Sequence, residues 1–272
     1  MKNINNGPLA TIIITNYNKT NFILKSVKSC LKQDYKNKEI IFFDDKSSDN
    51  SLNKIKNFKK KNKYNFKIIS NSSKKKDFAT FNHIKAIKKS LAKAKGKYIF
   101  LLDSDDYFHS NKIKEIIKTF EKNKKYKFIL DQPIFKFKKK LIKKKFQYKV
   151  LKNKWPKFPP TSCMCFEKKT LKDVLKKISF KKFPNLAIDF RLAVFYSLVL
   201  KKFYIYKSYL TYYRQVEESM DSKYIKYRSK EWWKRRKEAF EFLNLILKKN
   251  KLPINKSLDL FVTKLLNKIL SI

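Results

Sequence analysis

A chain of 272 residues with 43% apolar side chains is long enough to bury a substantial core, which excludes a disordered basic tail. Its formal charge of +46 comes from 68 basic against 22 acidic residues, and only five of the basic ones are arginine (Arg191, Arg214, Arg228, Arg235 and Arg236). A sequence-selective nucleic-acid binder leans on arginine forks and gathers charge on one face, whereas these lysines run through the whole chain; they imply non-specific, salt-sensitive attraction to anionic surfaces and no specific nucleic acid.

In chain order, the apolar runs and their periods predict strands near 10–15, 38–44, 66–70 and 97–102, with helices near 21–33, 50–62, 80–95 and 110–123 between and after them. This is a β-α-β-α repeat, the pattern of a parallel sheet flanked by helices. Residues 126–150 change character, with short strands expected at Phe128–Leu130, Ile134–Phe137 and Phe146–Val150, joined by lysine-rich turns. Trp155-Pro156-Lys157-Phe158-Pro159-Pro160 then predicts an extended connection, because each proline removes a donor and restrains its predecessor. A strand is expected at 161–166, helices at about 168–178 and 187–200, and one or two strands over 203–213. Two basic amphipathic helices follow, at 229–249 and 258–270. They either pack on the main body or lie on a membrane surface.

The first strands end alike. Leu101-Leu102-Asp103-Ser104-Asp105-Asp106 carries three carboxylates within four positions, and Phe42-Phe43-Asp44-Asp45 carries two. Like charges that close call for a cation, and open α/β sheets bind ligands beyond the carboxyl ends of their strands. The competing reading is a helix N-cap before the segment that opens at His109-Ser110-Asn111. Ile13-Ile14-Thr15-Asn16-Tyr17-Asn18 ends a third strand in small polar residues around a tyrosine, suited to stacking on a base and bonding to it.

Other chemistry is less well provided for. Cys30, Cys163 and Cys165 lack the spacing of common zinc or redox pairs and read as reduced, buried thiols; with His83 and His109 the only histidines, a Cys-His nucleophile is not expected. Met1–Pro8 has no apolar core, and the longest apolar run, Ala193–Leu200, is far short of a membrane span, so a cytoplasmic location is expected.

Four ordered pieces carry a resemblance: Ile13–Asn18, Ser29-Cys30-Leu31-Lys32-Gln33-Asp34-Tyr35, Glu39–Ser51 and Gly96–Asp106. Over about Thr11 to Tyr107 the chain resembles the family 2 glycosyltransferases. The resemblance implies an α/β, Rossmann-like GT-A fold with a mostly parallel central sheet flanked by helices and a C-terminal helical extension. It implies a GT-A domain at 1–215, divided into a nucleotide-sugar half at 1–107 and an acceptor half at 108–215, with 216–272 as the extension.

The resemblance further implies an inverting, metal-assisted transfer of a sugar from a nucleoside-diphosphate sugar, a UDP-sugar by preference, to a glycan or lipid-linked acceptor hydroxyl. The expected setting is cell-surface polysaccharide or glycolipid synthesis, and the two basic amphipathic helices add the expectation of peripheral contact with the inner face of a membrane. Carried over by position, Thr15 and Tyr17 contact the nucleotide, Asp45 accepts a bond from the base, Asp105 faces the ribose or the metal, and Asp106 binds Mg²⁺ or Mn²⁺. A second register makes Asp103 and Asp105 the Asp-x-Asp pair. Asp189, in Ala187–Leu192, matches the catalytic carboxylate, and Tyr213-Arg214-Gln215 resembles a Tyr-Arg element of the family. Ala86-Ile87-Lys88 stands where relatives often have Ala-Arg-Asn, which would move the basic donor contact to Lys85 or Lys88, and Val216 stands where many have His, followed by Glu217 and Glu218. A nucleotidyltransferase usually opens on a Gly-rich, Arg-containing loop that this chain lacks; a non-catalytic nucleotide-binding relative is the other alternative.

Overall fold

Alternation within three apolar runs builds the centre of the protein. Even-numbered Ile12, Ile14, Ile40, Phe42, Tyr98, Phe100 and Leu102 enter one buried cluster, while odd-numbered Ile13, Ile41, Ile99 and Leu101 enter another on the opposite face. Strands covered on both faces read as continuous hydrophobic runs for this reason. The computed structural model describes residues 7–71, 78–138, 140–147, 158–178, 182–216 and 228–270.

The first half alternates β1 (Ala10–Asn16), α1 (Ile23–Leu31), β2 (Lys38–Asp44), α2 (Ser51–Lys61), β3 (Lys67–Ser70), α3 (Ala79–Lys93) and β4 (Tyr98–Asp103). A two-residue β5 (Tyr107–Phe108) and α4 (Lys112–Lys122) follow. The second half holds β6 (Phe128–Phe137), β7 (Lys140–Lys143), a 3-10 turn at Thr161–Cys163, β8 (Met164–Glu167), α5 (Lys168–Lys177), α6 (Ile188–Val194), π-helical turns over Phe195–Leu200 and β9 (Phe203–Arg214). Helices α7 (Lys230–Lys249) and α8 (Leu258–Ile269) come last.

The sheet order is β3-β2-β1-β4-β8-β6-β9-β5, with β7 added beside β6. Strands β1 to β4 are mutually parallel, β8 runs against β4 and β6, and β9 is parallel to β6. Helices α1, α2 and α4 supply the cluster on one face; α3, α5, α6 and α7 supply that on the other. The register of β1 with β2 and β4 places Thr15 beside Phe43 and Asp103, and Asn16 beside Asp44, so the polar ends of three strands arrive together.

One glycine makes this register possible. A Cβ on Gly96 would lie 2.6 Å from both the backbone nitrogen and Oγ1 of Thr11. The bare backbone lets its N–H donate to Thr11 Oγ1 at 2.9 Å, while that hydroxyl donates to Glu39 Oε1 at 2.6 Å. Glu39 thus ties the segment before β4 to β1 and β2, and its carboxyl, although burial pushes it up, is held lower by the Thr11 hydroxyl, the Lys95 backbone N–H and Lys67.

Where the sequence suggested two short strands at 128–130 and 134–137, one strand runs through Pro133. Its register against β9 shifts around Gln132 and Pro133, which accommodates the missing donor. The run expected as a lysine-rich turn after Phe137 includes β7, paired back on β6. Of the strand expected at Phe146–Val150, Phe146 and Gln147 are outside regular structure, and residues 148–150 lie outside the described residues, as does the Trp155–Lys157 part of the proline-rich connection. Among the described residues no helix is long and apolar enough to cross a membrane.

Candidate active site

The tip of β4 is an acidic loop rather than a helix cap. Asp103 to Asp106 turn back into β5, which pairs with β9, and the residue that precedes α4 is Asn111. The carboxylates of this loop part company by direction. Asp103 and Asp105 face a pocket of about 280 Å³. Asp106 stands behind its wall, fully buried, with its oxygens taken by Ser162 Oγ at 2.6 Å and the Arg214 backbone N–H at 2.8 Å. Thus Asp106, expected at the metal, does not line the pocket in this structure, whereas both members of the alternative Asp-x-Asp pair do.

Ser162 is the pivot of that wall. Its hydroxyl also accepts the Asp103 backbone N–H at 3.0 Å, and its carbonyl accepts from Lys112 Nζ at 2.7 Å. Arg214, at the end of β9, reaches the Asp105 carbonyl with Nη1 at 2.5 Å and stacks over Tyr107, itself stacked on Tyr212. The Tyr213-Arg214 element therefore lines the pocket and closes the acidic loop from its far side.

Strand β1 and the residue after it contribute Thr15, Asn16 and Tyr17 to the same pocket. Thr15 Oγ1 donates to Asp103 Oδ1 at 2.9 Å and stands 3.1 Å from His83 Nε2, so its hydroxyl braces the carboxylate. Tyr17, 43% exposed, lines the same pocket. The paired aspartates of β2 divide their work. Asp44 is buried and accepts from Asn16 Nδ2, Ser47 N and Ser47 Oγ, which fixes the turn into α2; Asp45 faces the pocket and accepts from Asn71 Nδ2 at 3.2 Å.

From α3 come Ala79, His83 and Ala86, spaced four and three residues apart on one helical face. Lys85 and Lys88, where a basic donor contact was expected, lie on the exposed side and do not line the pocket; the basic side chain turned inward is His83. It lies 3.0 Å from Asp103 Oδ1. His83 carries no expected role in the sequence; its place at the site follows from its direction on α3. Asp189 enters from the first turn of α6, and its Oδ1 accepts the Phe190 N–H at 2.6 Å. Thr15, Tyr17, Asp45, Asp105 and Asp189 thus share one cavity, with Lys19 completing it. Val216 is not part of the lining, and Glu217 and Glu218 lie outside the described residues.

The charges in this cavity are coupled. Burial pushes the Asp105 carboxyl up and Asp103 adds to that, opposed by Lys19 with Nζ at 3.5 Å. Burial and then Asp105 and Asp103 push Asp106 well above the carboxylate range. Burial would lower His83, but Asp103 beside it, then Asp189 and Asp105, raise it overall. Positive charge is therefore stabilised here, which suits a hard cation. Among the described residues no three His, Cys, Asp or Glu side chains are grouped to hold a metal. The donor set is one or two pocket-facing carboxylates, Asp105 and Asp103, which fits a cation that takes its remaining ligands from a phosphate and water.

The model of glycosyl transferase family 2 matches residues 11–191. The chain belongs to that family. Among family relatives, it is 31% identical over 126 residues to a putative glycosyltransferase EpsE of Bacillus subtilis, covering 46% of this chain and 43% of EpsE. It is 39% identical over 119 residues to the Escherichia coli UDP-Glc:alpha-D-GlcNAc-diphosphoundecaprenol beta-1,3-glucosyltransferase WfaP, covering 43% of each. The chain thus matches less than half the length of these curated relatives. In three dimensions it resembles S. aureus TarS 1-349, solved in complex with UDP, with a TM-score of 0.63 at 14% identity over 97% of this chain and 70% of that one. The mannosyltransferase PcManGT of Pyrobaculum calidifontis, solved with GDP-Man and Mn²⁺, gives 0.57 at 12% identity, covering 90% and 66%. These likenesses show the fold, the GT-A type expected from the family 2 resemblance.

Proposed function

We propose that this family 2 chain is an inverting glycosyltransferase that moves a sugar from a nucleoside-diphosphate sugar, a UDP-sugar by preference, to a hydroxyl of a glycan or lipid-linked acceptor in polysaccharide or glycolipid synthesis. The observation that carries the reading is the convergence of Tyr17, Asp45, the Asp103 and Asp105 carboxylates of the β4 tip and Asp189 on one cavity. WfaP is named for a UDP-Glc donor and a diphosphoundecaprenol acceptor, which supports the choice of chemistry. The chain is proposed to divide into a catalytic unit at 1–215, with the donor held by 1–107 and the acceptor by 108–215, and a helical extension at 216–272.

In inversion the acceptor oxygen attacks the anomeric carbon on the face opposite the leaving diphosphate, so the protein needs one base and a place for the departing charge. Asp189 takes the hydroxyl proton. General-base assistance of this kind contributes about 10²–10⁴-fold. Tyr17 and Asp45 orient the nucleoside, and Thr15 with His83 holds Asp103 in place. Asp105, with Asp103, would hold Mg²⁺ or Mn²⁺, which would supply positive charge against the leaving diphosphate. Asp106 positions the loop from behind through Ser162 and Arg214. Lys19 and Arg214 add fixed positive charge at the cavity wall.

The test is a thermal-shift and calorimetric screen of nucleoside diphosphates and their sugars, with and without Mn²⁺. Stabilisation by one base in particular, enhanced by the cation, is expected; indifference to every nucleotide would overturn the reading.

A further inference from the structure

Helix α8 is oriented against the usual rule. A surface helix turns its apolar stripe to the core and its polar stripe to water. Here the side buried against α7 carries Leu260, Thr263 and Asn267, and Asn267 Nδ2 donates to the Trp233 carbonyl at 2.8 Å. Asp259, the acidic residue of α8, pairs with Arg236 of α7. The opposite side presents Leu258, Phe261, Leu265 and Ile269, which are 76, 63, 47 and 55% exposed. With 3.6 residues per turn these four fall within an arc of about 80°. Exposed Lys264 and Lys268 flank that arc on one side, and exposed Lys256 lies just before the helix. A contiguous apolar strip rimmed by charge marks an interaction surface.

We propose that this face docks on an anionic phospholipid bilayer, with α8 lying in the plane of the headgroups, its apolar strip at the acyl boundary and its lysines among the phosphates. Two observations select the occupant. First, charge is complementary: the strip is bordered by lysines on a chain of formal charge +46, so a second copy would bring like charge to like, whereas anionic headgroups bring the opposite sign. Second, a helix of 12 residues is about 18 Å long, too short to cross a hydrocarbon core yet suited to lying on it. The hydrogen bond and ion pair to α7 hold the strip outward, and α7 in turn packs with α6, which carries Asp189, so docking would set the cavity at a defined height above the surface. The inference stands on the geometry of α8 and holds whether or not the cavity transfers a sugar.

Sedimentation of the full chain with phosphatidylcholine vesicles, with and without phosphatidylglycerol, tests it. Binding is expected only to the vesicles that contain phosphatidylglycerol, and Phe261→Glu/Leu265→Glu should weaken the partition coefficient by about tenfold or more while leaving the thermal midpoint unchanged. Phe261→Trp should give a blue-shifted emission increment on vesicle addition, relative to the parent chain. Equal partitioning of the parent and the double glutamate variant would overturn the proposal in favour of diffuse lysine attraction. Concentration-dependent self-association abolished by the same variant, without vesicle binding, would overturn it in favour of a second copy.

Discussion

Lys112 and Asp131 form a fully buried ion pair between α4 and β6, with Nζ and Oδ1 2.7 Å apart. The ammonium also donates to the Ser162 carbonyl and to Thr211 Oγ1, each at 2.7 Å, and lies 4.0 Å from the centre of the Phe108 ring. Thr211 Oγ1 donates in turn to Asp131 Oδ2. Burial would lower the Lys112 ammonium, but Asp131 holds it above its ordinary value. Lys112→Met removes the cation and leaves a carboxylate out of water without a counter-charge, which costs about 3–5 kcal/mol. For a chain of this size each kcal/mol moves the midpoint by about 2–4 °C, so a fall of about 6–20 °C is expected. Lys112→Met/Asp131→Leu removes both charges at similar volume and should return to within about 1–2 kcal/mol of the parent. Parallel calorimetric and urea melts of the parent, both single variants and the double variant close the cycle. A single variant within about 1 kcal/mol of the parent, or a double variant no more stable than the weaker single, would refute the assignment of this pair as a coupled buried unit.

Asp189→Asn should lower kcat by about 10²–10⁴-fold while donor affinity by calorimetry stays within about threefold, since the proton acceptor is lost and the donor contacts are kept. Asp105→Ala should abolish the Mn²⁺-dependent part of nucleotide binding, whereas Asp45→Ala should weaken binding with or without the cation; identical titrations for the two variants would contradict the division of roles. Gly96→Ala places a Cβ against the Thr11 backbone and should cost about 1–3 kcal/mol in urea melts. All three cysteines are free and buried; burial pushes Cys30 and Cys165 up to about 12 and raises Cys163 well above the ordinary thiol value. Native protein at pH 8 should therefore leave a thiol-specific disulfide reagent unreacted until denaturant is added.

The alternating runs at 10–16, 38–44 and 98–103 determine, by themselves, a sheet covered on both faces, because every second side chain must leave water in opposite directions. Their polar ends likewise announce a ligand-binding edge, since parallel strands in register bring their tips together. Direction within that edge was beyond the sequence. Asp103, Asp105 and Asp106 are chemically alike and adjacent, and only Ser162 and Arg214, which follow 56 and 108 residues after Asp106, draw that carboxylate behind the wall. Lys112, Asp131 and Thr211 show no pattern in one dimension, since a buried charge is recognised by what surrounds it. The same holds for α8: its composition promises an amphipathic helix, but which stripe meets α7 depends on the groove and on the Trp233 carbonyl that Asn267 finds there. Periodicity is local and survives in the sequence; the partner that satisfies a polar group lies far along the chain, and only folding brings it near.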